Sequence, residues 1–302
     1  ENCYAPQNYD NQFVGPITLR NALAQSRNIP SVKLSYLAGL KDSLRLARDM
    51  GMENLGGTNQ YGLSLVLGGG EVSLLDITNA YGVFANNGIK NPKTGIIRVE
   101  NRDGKIIEKF DLKSSVVLPK ETALKISDIL SDNKARTPLY GNASLLYFEG
   151  RDVAVKTGTT NDYRDAWTVG YSPNLVVGAW VGNNDNSSME KRVSGMIVTP
   201  MWRAFMNTAL PSLPKENFEK YTKINDVEIQ PVLRGVWKGG ESYFIDKISG
   251  KLATKETPKE TVEERFITNV HSILYWIDRS DLLNKNKPEH PENDPQFKNW
   301  EY

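Results

Sequence analysis

Cysteine is nearly absent from this sequence: Cys3 is the only one among 302 residues. One thiol cannot close an internal disulfide or build a cysteine-based zinc cluster. Histidine is almost as scarce, with only His271 and His290, both in the C-terminal tail. A histidine-based triad or metal site is not expected, and nothing in the composition requires a metal or an organic cofactor. Long apolar runs are missing as well: no stretch approaches the roughly 18 residues that cross a bilayer, and no charged-then-apolar leader opens the chain. Nor is there an excess of either charge, with 37 Lys and Arg against 36 Asp and Glu. No global field draws the chain onto nucleic acid or an anionic membrane, so any anion recognition has to be local.

What is present is ordinary for a globular protein: 39% hydrophobic and 24% charged residues, enough for one large domain or two smaller ones. The chain opens on Glu1 rather than Met, which reads as a piece of something longer. Residues 15–50 have helical periodicity, with Pro16 near a helix start and a sharp break over Ser26-Arg27-Asn28-Ile29-Pro30. Ser73 followed by Asp76 resembles a capping box that opens a further helix reaching toward Gly88. Residues 96–111 read as a hairpin around Asp103-Gly104, and Pro119 to about Leu130 as an amphipathic helix. Val153–Thr159, Ala166–Tyr171 and Leu175–Gly182 are short β-rich runs separated by polar turns, the pattern of an antiparallel meander. Beyond about residue 215 prolines and lysines thicken, and Gly239–Thr254 reads as a small hairpin turning at Ser249-Gly250. The expected organisation is 1–215 as the main domain, 216–283 as a small β-rich module and 284–302 as a polar tail.

The first of the three meander runs contains an anomaly. Lys156-Thr157-Gly158-Thr159 interrupts a strand where packing alone favours larger apolar residues. At the edge of a cleft, Lys156 places a cation, Thr157 and Thr159 offer hydroxyls, and Gly158 lets a substrate backbone approach without meeting a Cβ. A three-residue match is common by chance, and its bland reading is a surface strand. Its companion is Ser26-Arg27-Asn28, a Ser-x-Asn element at the break between two helices.

Together with YAPQNYDNQFVGPITLRNALAQSRNIP, LVLGGGEVSLLDITNAYGVFANNG and VKTGTTNDYRDAWTVGYSPNLVVGAWVGNND, these two elements make the chain resemble the transpeptidase domain of class A penicillin-binding proteins. One departure is Val155, where many members carry Gly before the lysine. The resemblance implies an α+β fold, an antiparallel sheet flanked by helices and incomplete at the N-terminus, with Lys156 on an inner strand and Ser26 on a helical lobe opposite. It also implies a peptidoglycan D,D-transpeptidase that works through a serine acyl-enzyme on D-Ala-D-Ala stem peptides and is blocked by β-lactams. In that reading Ser26 relays a proton to the leaving amine, Asn28 holds the substrate amide, and Lys156 supplies positive charge. Thr157 and Thr159 bind the substrate carboxylate beside Gly158, and the Thr159 N–H forms half of an oxyanion hole.

The family's nucleophile lies in Ser-x-x-Lys upstream of Ser-x-Asn, and the 25 residues before Ser26 contain no such motif. Ser131-Asp-Asn-Lys134, Ser188-Met-Glu-Lys191 and Ser212-Leu-Pro-Lys215 match literally but follow Ser26, the wrong order. The catalytic serine and lysine are therefore expected upstream of Glu1. The same resemblance implies a missing N-terminal part with a membrane anchor and usually a glycosyltransferase domain, on the outer face of the membrane. Two other readings stay open: a non-catalytic module that binds peptidoglycan or β-lactams, and a serine β-lactamase or D,D-carboxypeptidase. A chain lacking its nucleophile helix should leave an apolar face uncovered. Trp167 is expected to fill space.

Overall fold

In a computed structural model, residues 5–221, 241–267, 271, 273–282 and 287–300 are described. Thr18 opens the first helix, α1 (Leu19–Ala24), its Oγ1 accepting the Asn21 N–H at 3.2 Å. The break that follows is shorter than the sequence suggests. It covers only Gln25, Ser26, whose φ of 55° lies in the left-handed region, and Arg27, and α2 (Asn28–Ala38) starts at once. Pro30 fits because it falls in the first turn, where a missing N–H costs no intrahelical bond. Gly39, at φ 81°, separates α2 from α3 (Leu40–Asp49). Ser73 caps α4 (Leu74–Ala85) by accepting from the Asp76 N–H at 3.1 Å, and buried Asp76 also pairs with Lys93.

Next come β1 (Ile89–Lys90), β2 (Arg98–Glu100), β3 (Ile106–Lys109) and β4 (Ser115–Val116), where β1 pairs with β4 and β2 with β3. The β2–β3 hairpin turns at Gly104, φ 80°, where the sequence places it. At Gly88, φ 93°, between α4 and β1, an added Cβ would lie 2.2 Å from the Leu118 carbonyl, so only glycine fits there. Pro119 precedes α5 (Lys120–Ser131), and Asp132 then caps α6 (Asn133–Tyr140) through the Ala135 N–H at 2.9 Å.

The meander follows as β5 (Ala154–Thr159), β6 (Asp165–Ser172) and β7 (Leu175–Gly182), an antiparallel sheet of order β5-β6-β7. After it come α7 (Ser194–Ile197) and α8 (Thr199–Ala209). One sheet face packs on α7 and α8, the other on α4 and α5, giving an α/β/α arrangement. Trp202 of α8 seats its ring where Gly170 leaves room: a Cβ there would lie 2.4 Å from Trp202 Cζ2. Its indole N–H donates to the Val177 carbonyl at 3.0 Å, and Phe148 packs edge-on at 5.8 Å. On the opposite face Tyr171 meets Tyr81, Phe84 and Phe218, with its hydroxyl 3.0 Å from Ser127 Oγ.

These elements belong to one compact unit, Glu1–Phe13 with Thr18–Lys223; a second comprises Val14–Ile17 with Ile224–Tyr302. In the second, β8 (Ser242–Asp246) pairs antiparallel with β9 (Val262–Phe266), and two short helices follow, α9 (Ile273–Trp276) and α10 (Phe297–Trp300). This corrects the hairpin expected over Gly239–Thr254. The turn at Gly250 is present, but the returning segment makes only the Ile245–Leu252 bridge, and the ladder partner is β9. The Asp246 carboxylate accepts the N–H groups of Ile248 and Ser249, which tightens that turn before a strand can grow.

Candidate active site

Alternation along β5 fixes where each residue of the Lys-Thr-Gly-Thr run points. Lys156 and Gly158 register against Val169 and Trp167 and share one sheet face, while Thr157 and Thr159 register against Thr168 and Ala166 on the other. Among the described strands β6 is the inner one and β5 an outer one, which corrects the expectation that Lys156 lies on an inner strand. The consequence is chemical: an outer strand leaves backbone N–H and C=O groups for something other than its own sheet.

The α1–α2 break supplies the facing side. Lys156 Nζ donates to Ser26 Oγ at 2.7 Å, joining residues 130 positions apart, and also to the Thr157 carbonyl at 2.8 Å. Burial pushes the Lys156 ammonium down to about 8. Ser26 reaches the lysine from a left-handed backbone, and Arg27 beside it is buried and paired with Asp10 at 2.7 Å. Asn28 points elsewhere: its Nδ2 donates to the Gln7 carbonyl at 2.8 Å, and its backbone N–H to Asn8 Oδ1 at 3.1 Å. Among the described residues no hydrogen bond joins Asn28 to Ser26 or Lys156.

The threonines have partners that the sequence did not reveal. Thr157 Oγ1 lies 2.9 Å from the Tyr140 hydroxyl. Thr159 Oγ1 accepts the Ser194 N–H at 3.0 Å, which leaves its own O–H for a further acceptor. Gly158 faces Trp167, whose Cβ would be 3.5 Å from an added Cβ, and the Trp167 ring packs 6.1 Å from that of Trp180. Beyond β5 the turn is locked by Asp165. Its carboxylate accepts from Thr160 Oγ1 and Trp180 Nε1, both at 2.9 Å, and its N–H donates back to Thr160 Oγ1 at 2.9 Å. Asp165 stood in a recognisable segment, but its partner Trp180 is 15 positions away and only the β6–β7 register brings it close.

The three literal Ser-x-x-Lys matches fall outside this arrangement. Ser131 Oγ bonds back to the Asp128 carbonyl, Asp132 caps α6 and pairs with Arg20 at 3.0 Å, and Asn133 donates to the Asn142 carbonyl. Each residue of that Ser-Asp-Asn triplet is occupied by a structural partner. Ser188 is exposed in the loop after β7, and Ser212 Oγ donates to the Ala209 carbonyl at the end of α8.

The geometry joins two motifs that belong together in one known family, and the comparisons agree. Residues 1–206 match the family model described as the penicillin binding protein transpeptidase domain. This chain belongs to that family. It is similar to penicillin-binding protein 1A of Aquifex aeolicus (strain VF5), 36% identical over 230 residues, covering 76% of this chain and 30% of the relative. It is also similar to penicillin-binding protein 1A of Rickettsia typhi (strain ATCC VR-144 / Wilmington), 30% identical over 303 residues, covering 93% of this chain and 36% of the relative. The chain thus spans about a third of the length of these class A penicillin-binding proteins.

Solved penicillin-binding proteins share the fold. The crystal structure of penicillin-binding protein 1A from Haemophilus influenzae superposes with a TM-score of 0.63 at 22% identity, over 89% of this chain and 43% of that one. PonA1 from Mycobacterium tuberculosis, solved in complex with penicillin V, superposes at 0.61 with 23% identity, over 72% of this chain and 63% of that one. The antiparallel α+β fold of the penicillin-binding transpeptidases is therefore the fold of this chain. Among its described residues no helix is long and apolar enough to cross a membrane.

Proposed function

We propose that this chain carries the second and third motifs of a peptidoglycan D,D-transpeptidase site, whose nucleophilic serine and activating lysine lie on a segment outside residues 1–302. The observation that carries this reading is the 2.7 Å hydrogen bond from Lys156 to Ser26, which joins the two motifs across 130 residues. A lysine lowered to about 8 is still mostly charged at neutral pH. It donates to Ser26 Oγ and presents positive charge to a substrate carboxylate. Ser26 keeps its own O–H, so a proton can pass from it to the leaving amine of the terminal D-Ala and be replaced from Lys156.

The hydroxyls of Thr157 and Thr159 receive the substrate carboxylate, while Gly158 leaves the Lys156 face of the strand clear of a Cβ. The Thr159 N–H, on the open edge of β5, is one oxyanion donor, and such a donor lowers the barrier by about 3 kcal/mol. Asn28 holds the substrate amide once its side chain leaves Gln7. The acyl-enzyme formed on the outside serine is then released by an amine of a neighbouring stem peptide, or trapped by a β-lactam. The proposed transpeptidase part is 1–215, followed by the small module 216–283 and the tail 284–302. The parent protein is held at the outer face of the membrane by an anchor outside this chain, with a glycosyltransferase domain before the transpeptidase.

A fluorescent penicillin, reacted with residues 1–302 and in parallel with the natural chain extended upstream, tests the reading by intact mass and peptide mapping. One adduct on the extended chain alone, at a serine before Glu1, is the expected result. An adduct at Ser131, Ser188 or Ser212 would overturn the assignment. No adduct on either chain would favour a binding module without chemistry, and hydrolysis without cross-linking would favour the carboxypeptidase or β-lactamase reading.

A further inference from the structure

A second contact bridges the two walls that hold Ser26 and Lys156. Tyr9 follows Asn8, whose side chain accepts the Asn28 N–H, so Tyr9 belongs to the wall that carries Ser26-Arg27-Asn28. That wall is tied down further by the Arg27–Asp10 ion pair at 2.7 Å and by Asn8 Nδ2 donating to the Gln12 carbonyl at 2.8 Å. Tyr163 stands four positions beyond Thr159, in the turn from β5 to β6, on the wall that carries Lys156. The two phenol oxygens lie 3.4 Å apart. The inner contact, Lys156 to Ser26, is partly buried, while the outer one is exposed, with Tyr9 62% accessible.

The turn holding Tyr163 is unusual. Asp162 and Tyr163 occupy the left-handed region in succession, at φ 58° and 56°. Neither is glycine, and each such residue carries a steric cost that the surroundings must offset. The surroundings do so from both ends: Asp165 locks Thr160, and the Tyr163 carbonyl accepts the Met189 N–H at 3.0 Å. The two left-handed residues bring the Tyr163 hydroxyl to Tyr9 on the opposite wall. The Tyr9 phenol is held above the ordinary tyrosine range, chiefly by its hydrogen bond to Tyr163, so it stays a neutral partner at physiological pH.

From this arrangement we propose that Tyr9 and Tyr163 form an aromatic latch over the mouth of the Ser26–Lys156 site, which a bulky peptide or β-lactam must part while a small one passes beneath it, so that the latch selects ligands by bulk. The proposal rests on the transpeptidase reading of that site. A ligand that fits beneath the closed pair gains little when the latch is weakened. One with a large side chain must separate the rings, losing the hydroxyl contact, and gains more.

The test uses the full-length natural protein. Second-order acylation rates are measured with benzylpenicillin and with a penicillin bearing a bulky fluorophore, for wild type, Tyr9→Phe, Tyr163→Phe and the double variant. The expected outcome is a several-fold rise in the ratio of bulky to small acylation rates in each single variant, with no further rise in the double. General damage to the site would lower both rates together and leave the ratio unchanged, which overturns the latch. Proximity is read separately by light-driven oxidative coupling with a ruthenium sensitiser and persulfate. Each phenol loses one ring hydrogen to the oxidant, and one carbon–carbon bond joins residues 9 and 163. That cross-linked peptide is expected in the free protein and depleted after acylation by the bulky penicillin. Its absence from the free protein, or equal yield before and after acylation, would also sink the proposal. If wild type takes up neither penicillin, the transpeptidase reading fails, and persistence or absence of the 9–163 cross-link still decides whether the two walls meet.

Discussion

Burial holds the Lys156 ammonium at about 8 in the folded chain, against an ordinary value of 10.5. Between those two pH values the unfolded chain binds the proton that the folded chain has released. Folding stability attributable to this group therefore rises with pH across that window and is flat on either side. Urea unfolding of wild type and Lys156→Met through that range checks this. Wild type should gain on the variant as pH rises through about 8 and stop gaining above 10.5. Parallel curves would mean that the amine is solvated in the folded state. The same residue shows how far single positions could be read in advance. Lys156 and Ser26 were recognisable because their neighbours spell out motifs. The carbonyl of Gln7 that occupies Asn28, and the hydroxyl of Tyr140 beside Thr157, carry no such spelling. They become partners only when separate loops and helices meet.

At the scale of elements, α8 meets the sheet through buried Trp202 and Met206 and through the Thr199 hydroxyl, 2.8 Å from that of Thr168. Trp202 is fully buried, fills the space over Gly170 and donates to Val177 from inside the core. Trp202→Ala should cost about 3–5 kcal/mol, read as a lowered urea midpoint with an unchanged slope. A loss below about 1 kcal/mol would show that α8 is held by its ends. The three sheet strands, the β2–β3 hairpin and α5 were legible because each has a local cause: alternation, an Asp-Gly turn or a proline before a periodic run. The strand order was legible too, since tight turns force consecutive strands to be neighbours. What the sequence misplaced was decided at a distance. Whether β5 lies inside or at the edge depends on which strands follow it in space, and the ladder partner of β8 is β9, beyond a local turn that looked sufficient by itself. The α1–α2 break appeared longer than it is because Pro30 reads as a breaker, although in a first turn it breaks nothing.

For the molecule as a whole, the β2–β3 region shows water a set of isoleucines: Ile96, Ile97, Ile106 and Ile107 are 65%, 72%, 47% and 68% exposed. Apolar side chains gathered on one small hairpin bind dyes and promote association. Residues 1–302 should raise ANS emission, and Ile97→Thr combined with Ile107→Thr should reduce it while leaving the urea midpoint within about 0.5 kcal/mol. Unchanged emission would place the dye on another surface. The bond from Lys156 to Ser26 has a further consequence at this scale. It closes a loop of 130 residues, within which the five helices α2–α6, the β1–β4 and β2–β3 pairings and the first sheet strand must already have found their places. Contacts of such separation are entropically late, because the chain between them has to be ordered before they return any free energy. We therefore expect the site to be the last part of the first unit to assemble during refolding. Timed labelling with an amine-specific reagent should find Lys156 still reactive after the Trp202 environment has become native.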